Sequence, residues 1–276
     1  MAAKISVWRA KSEDTLENMQ GEYSVKEWSA DEKYSRIGDK VFKGNSKLKR
    51  VVLNAHIKEV GIQSFSNSTL RAVHMAGIRT IRKEAFSNCV RLSEVQIPET
   101  TGFIGVRAFA QCRRLERAEF ASGSICREIK AETFANCASL KSIQLPEQLR
   151  KIGEQAFFKC VMLDRIEFPA SLKEIGTRAF YQTALSQLEL PSGLEKIGDS
   201  AFLKCNRLEI VKLPESVETI EKWAFHGCNR LKILEIAHEP KEIGEWVINR
   251  SARIRCYRGG IVDKYCRDMG FQAEYL

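Results

Sequence analysis

The sequence is poor in the residues and spacings from which catalytic and metal sites are built. Its 276 residues include only four histidines: His56, His74, His226 and His238. None has a metal-ligand spacing, or a serine or cysteine partner in a recognisable catalytic motif. The glycines of the repeated region occur singly, never as GxGxxG or GxxxxGKS, so no phosphate-binding loop is indicated. We therefore expect no enzymatic activity, no cofactor and no metal ion.

Long apolar runs and an export signal are also missing. No stretch of eighteen apolar residues exists, so no membrane span is expected. The first residues, MAAKISVWRAKSED, place charges where a signal peptide needs an apolar centre. The interpretation is a cytoplasmic protein. The alternative is a cell-surface or secreted protein from which a signal was removed.

What the sequence has in abundance is a repeated unit, seen most clearly in residues 140–160, LKSIQLPEQLRKIGEQAFFKC. Ile143 and Leu145 are two residues apart, so in a strand they share one face while Ser142 and Gln144 share the other. Pro146 has no N–H to donate and therefore ends the strand. One unit encloses no core by itself, because its apolar residues can leave water only against a neighbouring copy.

A column of phenylalanines fixes the register of the copies. Its members recur at intervals of 21 to 25 residues, each with an isoleucine or valine five residues earlier. We predict that they stack in one buried column, with Phe157 between Phe134 and Phe180. The column is Phe42, Phe65, Phe86, Phe109, Phe134, Phe157, Phe180, Phe202 and Phe225, with Ile248 in the tenth place.

Six of the nine cysteines follow the column at a fixed spacing, three residues after the phenylalanine. Two copies have Ser68 and Thr183 instead, and there the next leucine arrives one residue early, which suggests that a shorter turn no longer points this side chain inward. The odd cysteine number and the lack of CxxC pairs favour neither a disulfide framework nor a zinc site. Stacked side chains also point in parallel, which is poor disulfide geometry. We predict free, reduced, buried thiols, as expected in the cytoplasm.

The pattern LxxIxLPxxLxxIGxxAFxxCxx resembles the BspA-like leucine-rich repeats, also called the Treponema pallidum type. Pro146, Pro169, Pro191 and Pro214 and the IG and AF pairs match in register. The resemblance implies an α/β repeat solenoid, a leucine-rich-repeat horseshoe or curved rod of about ten rungs with a parallel β-sheet on its concave face. It also implies adhesion and protein binding, usually on bacterial or protist surfaces.

Three segments are predicted along the chain. Residues 1–36 form an N-terminal cap in which Trp8, Tyr23, Trp28 and Tyr34 cover the first rung. Two pairs in this cap resemble capping boxes and predict short helical turns: Ser24 with Glu27, and Ser29 with Glu32. Residues 37–248 form the repeat array. Residues 249–276 form a C-terminal cap that reads as strand, turn at Gly259 and Gly260, short helix stopped by Gly270, and last strand.

The outward positions of the repeat strands are the first candidate protein-binding surface. Arginine and glutamate in neighbouring rungs could bind a partner, or could simply pair with one another at little gain. Ile210 and Ile233 form a small apolar patch among charges, which is typical of a protein interface. The positions are Arg50 and Val52, Ala72 and His74, Glu94 and Gln96, Arg117 and Glu119, Ser142 and Gln144, Arg165 and Glu167, Gln187 and Glu189, Ile210 and Lys212, and Ile233 and Glu235.

Positive charge is concentrated in the early repeats and forms the second candidate surface. Residues 37–130 hold 17 Lys and Arg against 8 Asp and Glu, whereas residues 131–236 hold 14 of each. Lys47, Arg91, Arg114, Arg207 and Arg230 all precede the leading leucine of a strand, so stacking places them along one edge, with Arg113 and Arg117 beside them. The hypothesis is that Arg91, Arg113, Arg114 and Arg117, the basic edge, meet an acidic protein surface.

Two alternatives to this reading of the basic edge stay open. A solvated, solubilising face is one. The other alternative is that the basic edge binds nucleic acid. It is less favoured, because the basic positions are not interleaved with exposed aromatics and no nucleic-acid-binding fold is recognised. The sequence predicts no oligomeric state.

Residues 121–128 are two residues longer than their counterparts, lack the usual proline and contain Ser122, Gly123 and Ser124. They are predicted to form a protruding, mobile loop.

Overall fold

The structure is a computed structural model that describes residues 14–17 and 25–276. Trp8, Tyr23 and Ser24, for which a cap role was predicted, lie outside the described residues. In chain order the elements are β1 (Thr15–Leu16), β2 (Glu27–Ser29), β3 (Arg36–Ile37), β4 (Arg50–Leu53), β5 (Glu59–Val60), β6 (Ala72–Met75), β7 (Thr80–Ile81), β8 (Glu94–Ile97), β9 (Phe103–Ile104), β10 (Arg117–Phe120), β11 (Glu128–Ile129), β12 (Ser142–Gln144), β13 (Lys151–Ile152), β14 (Glu174–Ile175), β15 (Lys196–Ile197), β16 (Ile210–Leu213), β17 (Thr219–Ile220), β18 (Ile233–Ile236), β19 (Glu242–Ile243), β20 (Arg253–Cys256), α1 (Ile261–Met269) and β21 (Gln272–Tyr275).

These strands stack into a solenoid of about eleven rungs, each rung being one circuit of the chain. Two ladders run along it, and all their pairings are parallel. The strand ladder contains the longer strands, in the sheets β2-β4-β6, β8-β10-β12 and β16-β18-β20-β21. The short ladder contains the two-residue strands, in the orders β1-β3-β5-β7-β9 and β11-β13-β14-β15-β17-β19. The predicted repeat solenoid is confirmed, and its rungs close through turns rather than helices.

The phenylalanine column is continuous and buried. Adjacent rings from Phe42 to Phe225 lie 4.8 to 5.6 Å apart between centroids and are nearly parallel. Phe157 is fully buried, 5.6 Å from Phe134 and 5.1 Å from Phe180, as predicted. Each ring is thus shielded from water by the rungs on both sides, and burial of such rings is a main stabilising contribution.

A third set of inter-rung hydrogen bonds follows the column and was not predicted. Around Phe65, the backbone N–H groups of Gln63, Phe65 and Asn67 donate to carbonyl oxygens of the next rung at 3.0, 2.8 and 2.9 Å. Gln63 and Asn67 adopt positive φ angles of 55° and 60°, a conformation that L-residues rarely adopt. The same pattern recurs two residues before and after the other column phenylalanines. The hydrogen bonds to the next rung offset the strain of this conformation.

The column cysteines are buried hydrogen-bond donors. The Sγ atoms of Cys89 and Cys112 lie 3.1 Å from the carbonyl oxygens of Phe65 and Phe86 in the preceding rungs. Burial raises the pKa of the Cys137 thiol to about 12. All nine cysteines are free and buried, so the prediction of free, buried thiols is confirmed.

The interpretation of Ser68 and Thr183 was wrong. Both side chains remain buried, although their turns are one residue shorter. The Ser68 hydroxyl lies 3.4 Å from the Cys89 Sγ, and the Thr183 hydroxyl lies 3.2 Å from the Cys205 Sγ. Serine or threonine can therefore occupy the cysteine position of a rung, because its hydroxyl lies within hydrogen-bond distance of the cysteine thiol in the next rung.

At the N-terminal end, Trp28 covers the first column ring, as predicted, with centroids of Trp28 and Phe42 5.0 Å apart. The capping-box prediction for Ser29 was wrong, because no helix follows β2: residues 31–34 form a β-turn in which the Tyr34 N–H donates to the Asp31 carbonyl oxygen at 3.1 Å. The other pair cannot cap a helix at Glu27, since Glu27 also lies in β2. Inter-rung hydrogen bonds outweigh the local capping signal here.

The C-terminal end has the predicted order of strand, turn, helix and strand. Helix α1 ends at Met269, and the positive φ of Gly270, 71°, lets the Phe271 N–H donate to the Cys266 carbonyl oxygen at 2.8 Å. The Tyr265 hydroxyl donates to the Gly244 carbonyl oxygen at 3.0 Å, and Phe271 packs beside Tyr265. The helix thereby covers the last rung of the core.

The long segment 121–128 turns outward at its centre and is anchored at its end. Ser122 and Gly123 are exposed, and Gly123 has a φ of 77°. Ser124 and Cys126 are buried. The short ladder is interrupted here, because β9 and β11 are not hydrogen-bonded to each other.

Candidate functional site

The outward face of the strand ladder, here called the strand face, has the predicted alternation. In β8, for example, Glu94 and Gln96 are exposed while Val95 and Ile97 are buried. Most of the predicted positions are exposed or half-buried in the same way: Arg50, His74, Arg117, Gln144, Arg165, Glu167, Glu189, Ile210 and Lys212 are exposed, and Glu119, Ile233 and Glu235 are half-buried.

Apart from the missing pairing of β6 with β8, the strand ladder is split in the middle of the solenoid, which the sequence did not predict. Residues 165–168 and 187–190 occupy the positions of the next two strands after β12 but form no ladder there. On the opposite side of the same rungs the short ladder continues without a break through β13, β14 and β15. The Phe157 and Phe180 rings also stay 5.1 Å apart. The rungs therefore separate only at the strand face.

A cleft of about 500 Å³ opens at this split, between the rung of β12 and the rung of residues 165–168. An adjoining cavity of about 220 Å³ lies against residues 187–189. Arg165, Glu167 and Phe168 line both. The half-buried Phe168 ring stands edge-on to the buried Phe180 ring, with centroids 5.6 Å apart and an interplanar angle of 84°. The cleft thus has an aromatic lining and charged walls.

The charges of the strand face are paired at its C-terminal end. Lys212 Nζ lies 3.3 Å from a Glu235 carboxylate oxygen, and Arg255 lies 3.0 Å from Glu235 and 2.6 Å from Glu274. These contacts run from rung to rung along β16, β18, β20 and β21. At this end of the strand face, the charged side chains form ion pairs with one another, so no partner is needed to account for them.

The charges around the cleft are different. Arg165, Glu167 and Glu189 form no ion pair within 4.0 Å in the part of the chain that the structure describes, and Glu119, which also lines the cleft, has only a 3.7 Å contact with Arg117. Arg165 and Glu167 are both exposed on the cleft wall. Such groups are available to charges and hydrogen-bonding groups of a partner.

The basic edge is also exposed and unpaired. Arg91, Arg113 and Arg114 have no acidic group within 4.0 Å among the described residues, and Arg117 has only the 3.7 Å contact with Glu119. Lys47, Arg207 and Arg230, the more distant members of the same register position, are exposed as well.

The short ladder shows the opposite behaviour, with carboxylates bridging neighbouring rungs. Glu59 lies 3.1 Å from Arg36 and 2.9 Å from Arg82. Lys151 and Glu174, one rung apart, are 2.9 Å from each other. Because the charged side chains of the short ladder form ion pairs with one another, the strand face and the basic edge are the better candidates for binding a partner.

The described residues contain no group of three His, Cys, Asp or Glu side chains placed to hold a metal ion. In the same residues no helix has the length and apolar character needed to cross a bilayer. Among the histidines, His238 Nε2 is 2.7 Å from the Val217 carbonyl oxygen, while His74 is exposed on the strand face.

The stacked parallel rungs, the phenylalanine column and the leucine positions define a leucine-rich-repeat solenoid. Residues 19–125 and 127–255 match the family described as BspA type leucine rich repeat region, in six copies. The chain belongs to this family.

Solved structures similar to this chain include two with TM-scores above 0.5. A leucine-rich repeat protein from Bacteroides ovatus has a TM-score of 0.55 and 22% identity, over 95% of this chain and 88% of that chain. The pneumococcal vaccine antigen PcpA has a TM-score of 0.58 and 17% identity, over 95% and 82%. The T. pallidum leucine rich repeat protein is 28% identical, over 87% and 89%, with a TM-score of 0.46. No match is found among the curated proteins. The first two likenesses support the fold and carry no activity over to this chain.

Proposed function

We propose that this protein is a binding scaffold that recognises another protein through its strand face, centred on the cleft, and that it performs no catalysis. One observation carries the proposal. Cross-rung ion pairs satisfy the charges at the C-terminal end of the strand face and along the short ladder, whereas Arg165, Glu167 and Glu189 at the cleft form no ion pair with any residue that the structure describes.

The cleft suits a segment of a partner that carries both charges and an apolar side chain. Phe168 offers an apolar surface, while Gln144 and Gln187 supply amide groups that both donate and accept hydrogen bonds. Arg165 between acidic side chains favours a partner with complementary charges of both signs. Such an arrangement contributes more to specificity than to raw affinity.

The test begins with affinity purification of the partner from the native cell, followed by cross-linking and mass spectrometry. Binding of that partner is then measured for the double reversal Arg165→Glu with Glu167→Arg, which keeps the net charge. We expect affinity to fall by about tenfold or more, as for other central interface charges. The proposal fails if the reversal binds the partner as the wild type does.

The matched control is Lys232→Glu with Glu209→Lys, a reversal of the same kind at an ion pair whose residues directly precede β18 and β16. It is expected to leave affinity unchanged, because these two side chains lie 2.7 Å apart and already satisfy each other. Thermal unfolding of both variants shows whether either reversal disturbs the fold.

The basic edge gives the same partner a second contact in this proposal. Arg91, Arg113 and Arg114 attract an acidic surface and chiefly speed association. Nucleic acid is the less favoured ligand for these charges. A steep loss of binding to a DNA or RNA duplex with salt, together with tighter binding than to the protein partner, would favour nucleic acid instead.

We further propose that the protein works in a reducing compartment. The column thiols donate hydrogen bonds to backbone carbonyl groups, as Cys89 does to Phe65, and a disulfide would remove those donors. Mass analysis of the protein from its native cell, with free thiols alkylated at once, is expected to find all nine modified after denaturation. Disulfide-linked column cysteines would contradict this.

A further inference from the structure

A separate surface lies on the side of the solenoid where the turns follow the phenylalanine column. The position after each column phenylalanine is apolar and bulky in three consecutive rungs, at Phe158, Tyr181 and Leu203. In other rungs it holds lysine, serine, alanine, histidine or asparagine. The Phe158 and Tyr181 rings stack with centroids 4.8 Å apart and an interplanar angle of 13°. A local ridge of bulky apolar side chains thus interrupts a turn surface whose other residues at this position are polar or alanine.

Two exposed apolar side chains extend this ridge. Val161 is 50% exposed and Met162 is 48% exposed, although both belong to the apolar residues that folding normally buries. Beside Val161 lies a hollow of about 190 Å³, lined also by Gln182, Thr183 and Ala184. The hollow lies over the shortened turn of this rung, in which Leu185 follows Phe180 by five residues instead of six.

Three cationic side chains lie around this apolar surface: Lys159, Lys204 and Arg207. We call the apolar and cationic residues together the turn patch, which consists of Phe158, Val161, Met162, Tyr181 and Leu203 with these three cations. Lys204 and Arg207 line the hollow. None of the three cations has an acidic group within 4.0 Å in the described ranges. This distinguishes them from Lys173 nearby in sequence, which lies 2.8 Å from Glu195.

The ring faces of the turn patch are already occupied. Phe158 and Tyr181 cover one face of each other. Lys159 Nζ lies 5.3 Å from the Phe158 centroid, and Lys204 Nζ lies 5.8 Å from the Tyr181 centroid. A nucleic acid base needs a free aromatic face on which to stack. The arrangement therefore favours carboxylates, which meet the ammonium groups directly, over bases.

We propose that the turn patch binds an acidic peptide segment of a partner protein, with one of its apolar side chains in the hollow beside Val161. Carboxylates of the peptide pair with Lys159, Lys204 and Arg207, which form no ion pair with the residues that the structure describes. Burial of the peptide's apolar side chain against Val161 and Met162 removes exposed apolar surface from water. This surface is distinct from the strand face, so either proposal can fail without the other.

The probe is a display library of random linear peptides, selected on the whole protein. Selected peptides are expected to combine several Asp or Glu with at least one bulky apolar residue. Their affinity should fall by about tenfold or more for Lys204→Glu with Arg207→Glu. It should also fall for Val161→Ser with Met162→Ser, which keeps the charge. Selected peptides without acidic residues, or equal binding to these variants, would overturn the proposal.

Two controls locate the effect. The first control, Arg113→Glu with Arg114→Glu, makes the same charge change on the basic edge and is expected to leave peptide binding unchanged. The second control, the cleft reversal Arg165→Glu with Glu167→Arg, is also expected to leave peptide binding unchanged. Hydrogen exchange with bound peptide should show protection at the turn patch. Protection at the basic edge or the cleft instead, or tighter binding of a single-stranded DNA oligonucleotide to the turn patch, would contradict the assignment.

Discussion

The Sγ atom of Cys160 lies 3.2 Å from the carbonyl oxygen of Phe134, one rung earlier in the solenoid. Burial raises the pKa of the Cys160 thiol well above its ordinary value, because the thiolate would lose its hydration. The same relationship joins Cys137 to Phe109 at 3.2 Å. These cysteines therefore act as protonated donors that tie successive rungs together, and not as nucleophiles.

Cys137 and Cys160 of the cysteine column predict a loss of stability at alkaline pH. Burial raises the pKa of Cys137 in the folded protein to about 12, whereas the pKa of a cysteine in the unfolded chain is about 8.5. Because the folded state holds this proton more tightly, its contribution is complete below about pH 8.5 and is lost progressively as the pH rises toward 12. Denaturant unfolding at pH 8 and pH 10 should show lower stability at the higher pH.

The variant Cys137→Ser is the control for this effect, since lysines and tyrosines also titrate in this range. It should lose less stability between the two pH values, by an amount on the order of 1 kcal/mol per pH unit above about 8.5. Thiol reagents should also modify the column cysteines slowly in native protein and promptly in denaturant. Prompt native modification, or an equal pH effect in the variant, would contradict the argument.

Phe157 should be among the most sensitive positions of the core. Its ring is fully buried between Phe134 and Phe180, so Phe157→Ala removes stacking on both sides and leaves a cavity. The expected loss is about 3 to 5 kcal/mol in the free energy of unfolding. Phe157→Leu, which keeps much of the volume, should cost clearly less. Urea unfolding measures both, and a negligible effect of the alanine variant would show that neighbouring rungs do not depend on the column.

The sequence predicted the column and the alternation of the strands because both depend on spacing alone. It did not predict the left-handed residues, such as Gln63 and Arg107, because these positions hold long polar side chains rather than glycine. Their conformation depends on carbonyl groups of the next rung. Local sequence carries no signal for such a long-range partner.

The split of the strand ladder also left no signal in the sequence. Arg165, Ile166 and Glu167 continue the same alternation of outward and inward residues as the paired strands on either side. The sequence therefore predicted the outward positions but could not distinguish Lys212, which pairs with Glu235, from Arg165, which has no ion pair among the described residues. That distinction depends on the separation of rungs, which only the structure gives.

Residues 121–128 should remain mobile at their outward tip. Ser122 and Gly123 are exposed, while Ser124 and Cys126 anchor the following residues in the core. We expect low hydrogen-exchange protection at Ser122 and Gly123 and high protection at Ala118 in β10. Equal protection at the tip and in β10 would rule out the mobile loop. Gly123→Ala should cost about 1 kcal/mol, because Gly123 has a positive φ.

The basic edge gives a kinetic prediction for the native partner. Reversing Arg91, Arg113, Arg114 and Arg117 to glutamate removes an exposed positive surface and should lower the on-rate and its salt dependence. The off-rate should change less, because the proposed strand-face contacts remain. Thermal stability should stay nearly unchanged, since Arg91, Arg113 and Arg114 form no ion pair within the described chain and the Arg117 contact is long, at 3.7 Å. Stopped-flow or surface-based kinetics at several salt concentrations measure the rates.

A matched set of four reversals separates this edge from net charge in general. Lys58, Arg79, Arg127 and Arg150 are exposed and each directly precedes a strand of the short ladder, so reversing them changes the charge equally on another face. If the basic edge steers the partner, only the first set lowers the on-rate strongly, because screening limits each charge to its neighbourhood. Equal slowing by both sets would mean that overall charge attracts the partner. If neither set slows association, the basic edge is a solvated face, and the strand face alone would account for recognition of that partner.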